Sequence, residues 1–239
     1  MQQQSLTSST KSLPRKSHAE RLELSDSAMF DTAVKFIVEQ GTAKTTLKAV
    51  GESAGYSRGL AGSRFNSKIG LFCFVIRLVA EYWLDVMKKA TRNKSGYEAI
   101  HATIDAHYQF SKKTPKSVRA FYILWFESMG LDSDMRDVVA AIHRRRLSDV
   151  TEWIVQGIEA GEISADVEAR AVAQYFLTSM FGIVYQWLID PGQEREIENL
   201  HDNLKISMRY LLPKSNAESA GKCARSRSDL GNRSEGKPF

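Results

Sequence analysis

Apolar residues recur at helical spacing along most of this chain, and runs that alternate apolar and polar residues are few. The first apolar face consists of Phe30, Ala33, Val34 and Ile37. Positions i, i+3, i+4 and i+7 share one side of an α-helix, so we expect a helix over about residues 26–40. Gly41 provides its C-terminal stop, because glycine readily adopts the backbone conformations that end helices.

The same periodicity predicts helices over the rest of the chain, at about 46–54, 57–65, 67–91, 96–111, 117–130, 133–160, 166–189 and 194–212. Thr45 or Thr46 can cap the first of these and Ser57 the second, since a side-chain oxygen there accepts a bond from an otherwise unpaired N–H. Gly55 separates the two short helices. The pattern therefore predicts an all-α fold.

Charge and polarity divide the chain further. Residues 1–72 carry 10 Lys and Arg against 6 Asp and Glu, residues 73–213 carry 17 against 19, and residues 214–239 carry 6 against 3. The two ends lack helical period and are rich in polar residues, so we expect a disordered basic arm at 1–20 and a disordered basic tail at 214–239. Between them we expect a helix-turn-helix domain at 21–72 and an antiparallel helical bundle at 73–213, whose functions are ligand binding and dimerisation.

A tight turn at Gly55-Tyr56-Ser57 joins the two short helices, which is the arrangement of a helix-turn-helix. The second helix of this motif enters the major groove of DNA and needs small or polar residues on its outer face, while Leu60 and Phe65 can point inward. Arginine can bond guanine or phosphate, and a lysine at a helix start can hold a phosphate. The predicted DNA-binding residues are Thr45, Thr46, Lys48, Ser57, Arg58, Gly59, Gly62, Ser63, Arg64 and Lys68.

Three segments resemble the TetR family of one-component transcription regulators. They are AVKFIVEQG (Ala33–Gly41), TTLKAVGESAGYSRG (Thr45–Gly59) and RFNSKIGLF (Arg64–Phe72). The resemblance implies a regulator, mostly a repressor, that leaves a palindromic double-stranded DNA operator when an effector binds.

Two positions depart from the family pattern. The family usually has an aromatic residue, most often Tyr, in contact with the DNA backbone where this chain has Gly62, and a helical Ala where it has Gly51. The missing aromatic keeps open the alternative of a TetR-like protein that has lost DNA binding.

Aromatic residues crowd the predicted bundle. With Met129 they can line an apolar cavity, which the resemblance implies for a small, largely apolar effector. The predicted ligand-binding residues are Tyr82, Trp83, His107, Tyr108, Phe121, Trp125, Phe126 and Met129. Ordinary core packing is the alternative for each of them.

The last two predicted helices have wide apolar faces, which favours a four-helix seam between two copies of the chain. The resemblance implies the same helix pair in a homodimer. The predicted dimerisation residues are Tyr175, Phe176, Met180, Val184, Trp187, Leu200, Leu204 and Met208. Burial of these faces within one subunit is the alternative.

An enzyme is a second alternative, because two Glu-x-x-His pairs on bundle helices resemble half of a di-metal site. The pairs are Glu98/His101 and Glu198/His201, and Glu127 and Glu152 can complete the set. The run Arg144-Arg145-Arg146 is interpreted as a solvated face, with Asp149 or Glu152 as ion-pair partners. We expect no cofactor and no catalytic residues.

Location follows from composition. Cys73 lies in an apolar helical run and Cys223 in a polar tail, so we expect no disulfide between them and a reducing compartment. The N-terminal segment has no apolar core of a secretory signal, and no window has the ~18 consecutive apolar residues of a membrane span. A soluble cytoplasmic protein with no membrane partner is therefore expected.

Overall fold

The computed structural model describes residues 17–130, 133–190 and 192–215. Within these ranges the chain forms helices and one isolated antiparallel bridge, between Ile163 and Lys214, but no strand. The helices are α1 (His18–Gln40), α2 (Leu47–Ser53), α3 (Arg58–Phe65), α4 (Lys68–Ala90), α5 (Gly96–Lys113), α6 (Pro115–Glu127), α7 (Ser133–Glu159), α8 (Ala169–Ile189) and α9 (Glu194–Leu211). The all-α prediction is confirmed. The predicted basic arm, up to residue 16, and the predicted tail, from residue 216, lie outside the described residues.

Helix α1 begins eight residues before the predicted start at residue 26. Ser17 accepts a bond from the backbone N–H of Glu20 at 3.1 Å, and the Glu20 carboxylate accepts one from the N–H of Ser17 at 2.6 Å. This reciprocal capping box satisfies two donors that a helix start leaves unpaired. The Ser-x-x-Glu spacing is visible in the sequence, so residues 17–20 were wrongly assigned to the arm.

The chain divides into two compact units between Leu71 and Phe72. In the first unit, Thr46 caps α2 and Ser57 caps α3, as predicted. Helices α2 and α3 approach closely at Gly51, where an added Cβ would lie 3.2 Å from both the Ala61 Cβ and the Ser57 carbonyl oxygen. Only a residue without a side chain fits this contact easily, which explains the glycine inside α2.

The second unit is a helical bundle in which α5 packs on α7 and α9, and α8 packs on the same two helices. Its core is a cluster of aliphatic and aromatic side chains that includes Ile100, Ile104, Ile154 and Phe176. The start of α5 approaches the end of α7 at two glycines: an added Cβ on Gly157 would lie 2.7 Å from the Gly96 Cα. Helix α4 crosses the division without interruption, since it starts at Lys68 and ends at Ala90.

Candidate DNA-reading helix and effector cavities

Helix α3 separates its inner and outer faces clearly. Ala61 and Phe65, four residues apart, are buried, whereas Ser57, Arg58, Gly59, Ser63 and Arg64 are exposed. Leu60 is 36% exposed, so the prediction that it points inward is wrong. With 3.6 residues per turn, the position next to Ala61 faces away from the core, and Leu60 adds an apolar group to the outer face. Apolar side chains on a reading helix can contact thymine methyl groups.

Local hydrogen bonds fix the backbone of the two short helices. The Thr46 hydroxyl accepts from the Ala49 N–H at 3.1 Å, and the Ser57 hydroxyl accepts from the Leu60 N–H at 3.2 Å. The Ser63 hydroxyl donates to the Leu60 carbonyl at 3.0 Å. The hydroxyls predicted to contact DNA therefore also hold the helix in shape.

Thr45 does not belong to the outer surface. It is 0% exposed, and its hydroxyl donates to the Gly41 carbonyl oxygen at 2.9 Å. The bond closes the turn between α1 and α2 and leaves no surface for a partner. Its predicted role in DNA contact is wrong, and Thr46, the exposed neighbour, is the residue that caps α2.

Two of the predicted phosphate ligands have partners within the first unit. The Arg64 guanidinium donates to Asp26 on α1 through Nε at 2.9 Å and through its terminal nitrogen at 2.6 Å. This hydrogen bond raises the pKa of Arg64. The Lys68 ammonium donates to the Ala43 carbonyl at 3.3 Å. A fork-to-fork pair fixes geometry as well as charge, so Arg64 braces α3 against α1.

Gly62 occupies open space on α3. A Cβ added there would meet no heavy atom within 4 Å. The backbone is helical and requires no glycine. A larger side chain therefore fits, and its absence removes a contact surface without relieving a clash.

Among the described residues of the second unit, three cavities concern the predicted ligand-binding residues. The outer cavity, about 160 Å³, is bounded by α4 and α7, and the inner cavity, about 30 Å³, by α4 to α8. Trp83, Met87 and Arg146 line both, so these three side chains stand between the two voids. A third, the α5–α9 cavity of about 110 Å³, is bounded by residues that include Ser111, Trp187 and His201.

Arg146 is the charged residue that lines both the inner and the outer cavity. Its guanidinium carbon lies 5.4 Å from the centroid of the Phe121 ring and 5.7 Å from that of Trp125. Burial lowers the pKa of Arg146, and the nearby Tyr122 hydroxyl partly offsets that effect. The interpretation of the three consecutive arginines as a solvated face is wrong for Arg146. It holds for Arg145, which is exposed and pairs with Asp149 at 4.0 Å.

Two buried histidines meet at the α5–α9 cavity, and one of them, His107, also lines the inner cavity. His201 Nδ1 lies 2.7 Å from the Ile197 carbonyl oxygen, which can only accept, so this nitrogen carries the proton. His201 Nε2 then accepts from His107 Nδ1 at 3.0 Å. Burial lowers the pKa of both rings, and the charge of Arg146 further lowers that of His107. Both imidazoles are therefore neutral at pH 7.

The predicted ligand-binding residues fall into three groups. Trp83, His107 and Tyr108 line cavities. Phe121 and Trp125 are buried and stack on Arg146. The remaining three, Tyr82, Phe126 and Met129, are exposed, Met129 by 65%, and line none of the three cavities described here. A crowded aromatic segment signals a core but does not say which face of each helix turns inward.

The predicted dimerisation residues are mostly core residues. Five of them are buried within the single subunit, which contradicts their predicted exposure to a partner subunit: Phe176, Met180, Val184, Leu204 and Met208. Trp187 and Leu200 are partly buried, and Tyr175 is exposed. The apolar side chains that reach the surface of α8 and α9 are Tyr175, Tyr185, Ile189, Ile206, Tyr210 and Leu211. By length and mean hydropathy α8 could cross a membrane. In the structure 39% of its most apolar stretch is buried.

The di-metal alternative finds no support among the described residues, where no group of three or more His, Cys, Asp or Glu is placed to hold a metal ion. Glu98, Glu127, Glu152 and Glu198 are all exposed. His201 faces His107 instead of a glutamate.

Comparisons with known proteins agree with this geometry. Residues 29–73 match the family model described as bacterial regulatory proteins, tetR family. The uncharacterized HTH-type transcriptional regulator YfiR of Bacillus subtilis (strain 168) is 18% identical over 184 residues, which are 77% of this chain and 90% of YfiR.

Solved structures show the same fold. A TetR-family transcriptional regulator from Rhodococcus sp. has a TM-score of 0.70 at 19% identity, covering 79% of this chain and 99% of its own. The regulator FadR from Bacillus subtilis, solved in complex with stearoyl-CoA, has a TM-score of 0.67 at 15% identity. The match covers 78% of this chain and 99% of the FadR chain. At these identities the structures establish the fold alone.

Proposed function

We propose that this chain, a TetR-family transcription regulator by its helix-turn-helix segment and its fold, is a homodimeric repressor that an effector releases from its operator. One observation carries the proposal: α4 runs unbroken from Lys68, at the end of the DNA-reading segment, to Trp83 and Met87, which line two cavities. A continuous helix that contains residues of both segments can couple a change at one to the other.

An effector can act only through different affinities for two states of the protein. We propose that cavity occupancy changes the position of α4 and thereby the spacing of the two reading helices in the dimer. Moving such an equilibrium from 1:99 to 99:1 needs about 5.5 kcal/mol of differential affinity. The complex of FadR with stearoyl-CoA supports ligand control on this fold.

The DNA contacts are assigned to exposed side chains around α2 and α3. Arg58 and Lys48 are exposed and basic, and Thr46, Ser57, Ser63 and Leu60 complete the surface. Arg58 stands at the first position of α3, where the N-terminal residues of a recognition helix meet base edges. A DNA-binding role also agrees with the cytoplasmic location expected from the sequence.

DNA binding is tested with the purified chain and the DNA that flanks its own gene, by gel retardation over a salt series. We expect salt-sensitive, sequence-preferring binding. Arg58→Met should weaken it about tenfold for each reading helix that contacts the DNA, since a lost charged contact is worth about 1.5 kcal/mol or more. Arg144→Met removes an exposed arginine from the second unit and should leave affinity unchanged. Equal binding by both variants would contradict the assignment, and no specific binding by the natural chain would favour a protein that has lost DNA recognition.

We assign the dimer interface to the exposed apolar surface of α8 and α9. Tyr210 is 81% exposed and Ile189 68%. Their burial in a partner would remove apolar area from water at about 25 cal/mol per Å². Tyr210→Glu should therefore shift the chain from dimer to monomer in sedimentation velocity. Gln109→Glu, which adds the same charge on an exposed position of α5, should leave the dimer intact. A dimer that resists Tyr210→Glu at low micromolar concentration would refute the assignment.

A further inference from the structure

Arg146 is a cation without a carboxylate partner in the part of the chain that the structure describes. On the same helix Asp149 pairs with Arg145, whose Nε lies 4.0 Å from its carboxylate. The groups that act on the pKa of Arg146 are burial and the neutral Tyr122 hydroxyl, with no acidic residue among them. Its aromatic neighbours offer ring faces, which attract the cation but do not neutralise it.

The lining of the inner cavity shows the same imbalance. Its side chains are apolar, aromatic or neutral, apart from Arg146, and no Asp or Glu is among them. His107, which also lines this cavity, has a pKa that Arg146 lowers, so it adds no charge at neutral pH. The outer cavity is lined by two acidic residues, Glu81 and Asp149, and by three arginines, Arg77, Arg145 and Arg146, so its cations exceed its anions.

Arg146 is half-buried, and a charge that is partly removed from water without a counter-ion costs free energy, because its desolvation is not repaid by pairing. A guanidinium that lines two cavities can bind an anion that enters either of them. Its planar fork binds a carboxylate through two parallel hydrogen bonds.

We propose that the effector of this regulator is a small aromatic carboxylate whose anionic group pairs with Arg146. Its apolar body occupies the outer cavity against Trp83, Leu84 and Ile142. The outer cavity, about 160 Å³, is of the size of the roughly 150 Å³ engineered cavity that accepts benzene. One guanidinium supplies one positive charge, which a carboxylate neutralises and a dianionic phosphate exceeds. The regulatory consequence rests on the proposed function, whereas the binding preference does not.

The test measures binding of three acids, benzoate, 4-ethylbenzoate and 2-naphthoate, each beside its neutral carboxamide. Calorimetry and tryptophan fluorescence report on the natural chain without DNA. A charged hydrogen-bonded pair is worth enough that we expect at least one acid to bind about tenfold more tightly than its amide. If no acid is preferred over its amide, the proposal is overturned. This measurement needs no variant and therefore does not depend on a variant's folding.

Variants then identify the residue. Arg146→Met should bring the acid and its amide to within twofold of each other while the amide still binds, and Arg146→Lys should keep part of the preference. Arg144→Met removes a neighbouring exposed arginine of the same helix and should keep all of it. An acid preference that survives Arg146→Met unchanged would show that Arg146 only supports the aromatic core.

Operator release is measured separately, by adding the preferred acid to the DNA complex. Release by the acid but not by its amide supports the assignment of the effector. Operator binding that responds only to neutral or cationic molecules would overturn it while leaving the proposed function intact. Failure to bind DNA would refute the proposed function and leave the carboxylate measurement valid.

Discussion

Substitution of Gly62 tests whether the bare outer face of α3 limits DNA binding. The position lies inside α3, its backbone is helical, and a Cβ there meets no heavy atom within 4 Å. Gly62→Ala should therefore add only the gain in helix propensity, about 0.8–1.0 kcal/mol. Gly62→Tyr should add a ring and a hydroxyl at the position where the resembled family contacts the DNA backbone.

The magnitude of the helix effect is best read locally, because the chain has two units and its global unfolding is not a single transition. A gain of about 0.9 kcal/mol should slow hydrogen exchange of the α3 amides about fivefold in Gly62→Ala. Gly51→Ala is the matched control. It has the same propensity gain, but its Cβ would lie 3.2 Å from the Ala61 Cβ and the Ser57 oxygen, so we expect a smaller gain or a loss.

DNA affinity then distinguishes the effect of helix stability from that of a new contact with the DNA backbone. A hydroxyl that donates to a phosphate should add about 1.5 kcal/mol, so Gly62→Tyr should bind operator DNA about tenfold more tightly than Gly62→Ala for each reading helix in contact. Both are measured by fluorescence anisotropy at one salt concentration. If the tyrosine variant binds no more tightly than the alanine variant, the position does not face the DNA backbone and the reasoning fails.

Three further predictions follow from other contacts. Gly157→Ala should destabilise the second unit in urea unfolding, because its Cβ would lie 2.7 Å from a backbone atom of α5; unchanged stability would mean that the helices separate without cost. Arg58→Met should reduce the slope of log affinity against log salt by about 0.9 per reading helix, whereas Arg64→Met should leave the slope unchanged and lower stability, since its guanidinium is held by a carboxylate on α1. The lowered pKa values of His107 and His201 predict a free energy of unfolding that is constant above pH ~6.5. At lower pH it should fall by up to about 1.4 kcal/mol per pH unit for each ring, because the unfolded chain then binds protons that the folded chain excludes. His107→Gln should flatten this dependence in chemical denaturation.

Helix existence could be predicted because the hydrophobic period extends over long segments. The predicted ends of α4 to α9 lie within about three residues of those observed. The caps at Thr46 and Ser57 were recognisable because capping depends on side chains one to three positions away. The capping box at Ser17 also depends on neighbouring residues only. It was missed because residues 17–20 were counted with the polar segment before them.

Whether an individual side chain points to the core or to solvent could not be predicted from neighbouring residues alone. Leu60 was expected inside and is half-exposed, while Thr45 was expected at the surface and is buried. Leu60 lies at the edge of a helix face, where a rotation of one residue exchanges core and solvent, and Thr45 lies in a turn, where helical periodicity does not apply. The same ambiguity misplaced Phe176 and Met208, because an apolar face wide enough for two neighbours does not show which part each neighbour covers.

The sequence by itself determined the helices, the reading motif and the resemblance, since these depend on periodicity, caps and spacing within short segments. Only the tertiary structure decided which groups meet. It paired Arg64 with Asp26, His107 with His201, and it turned Arg146 from the supposed solvated face onto two aromatic rings beside a cavity. These partners are 38, 94 and at least 21 residues apart along the chain, so no local pattern could relate them. The packing of the helices brings them together and thereby creates the candidate effector site.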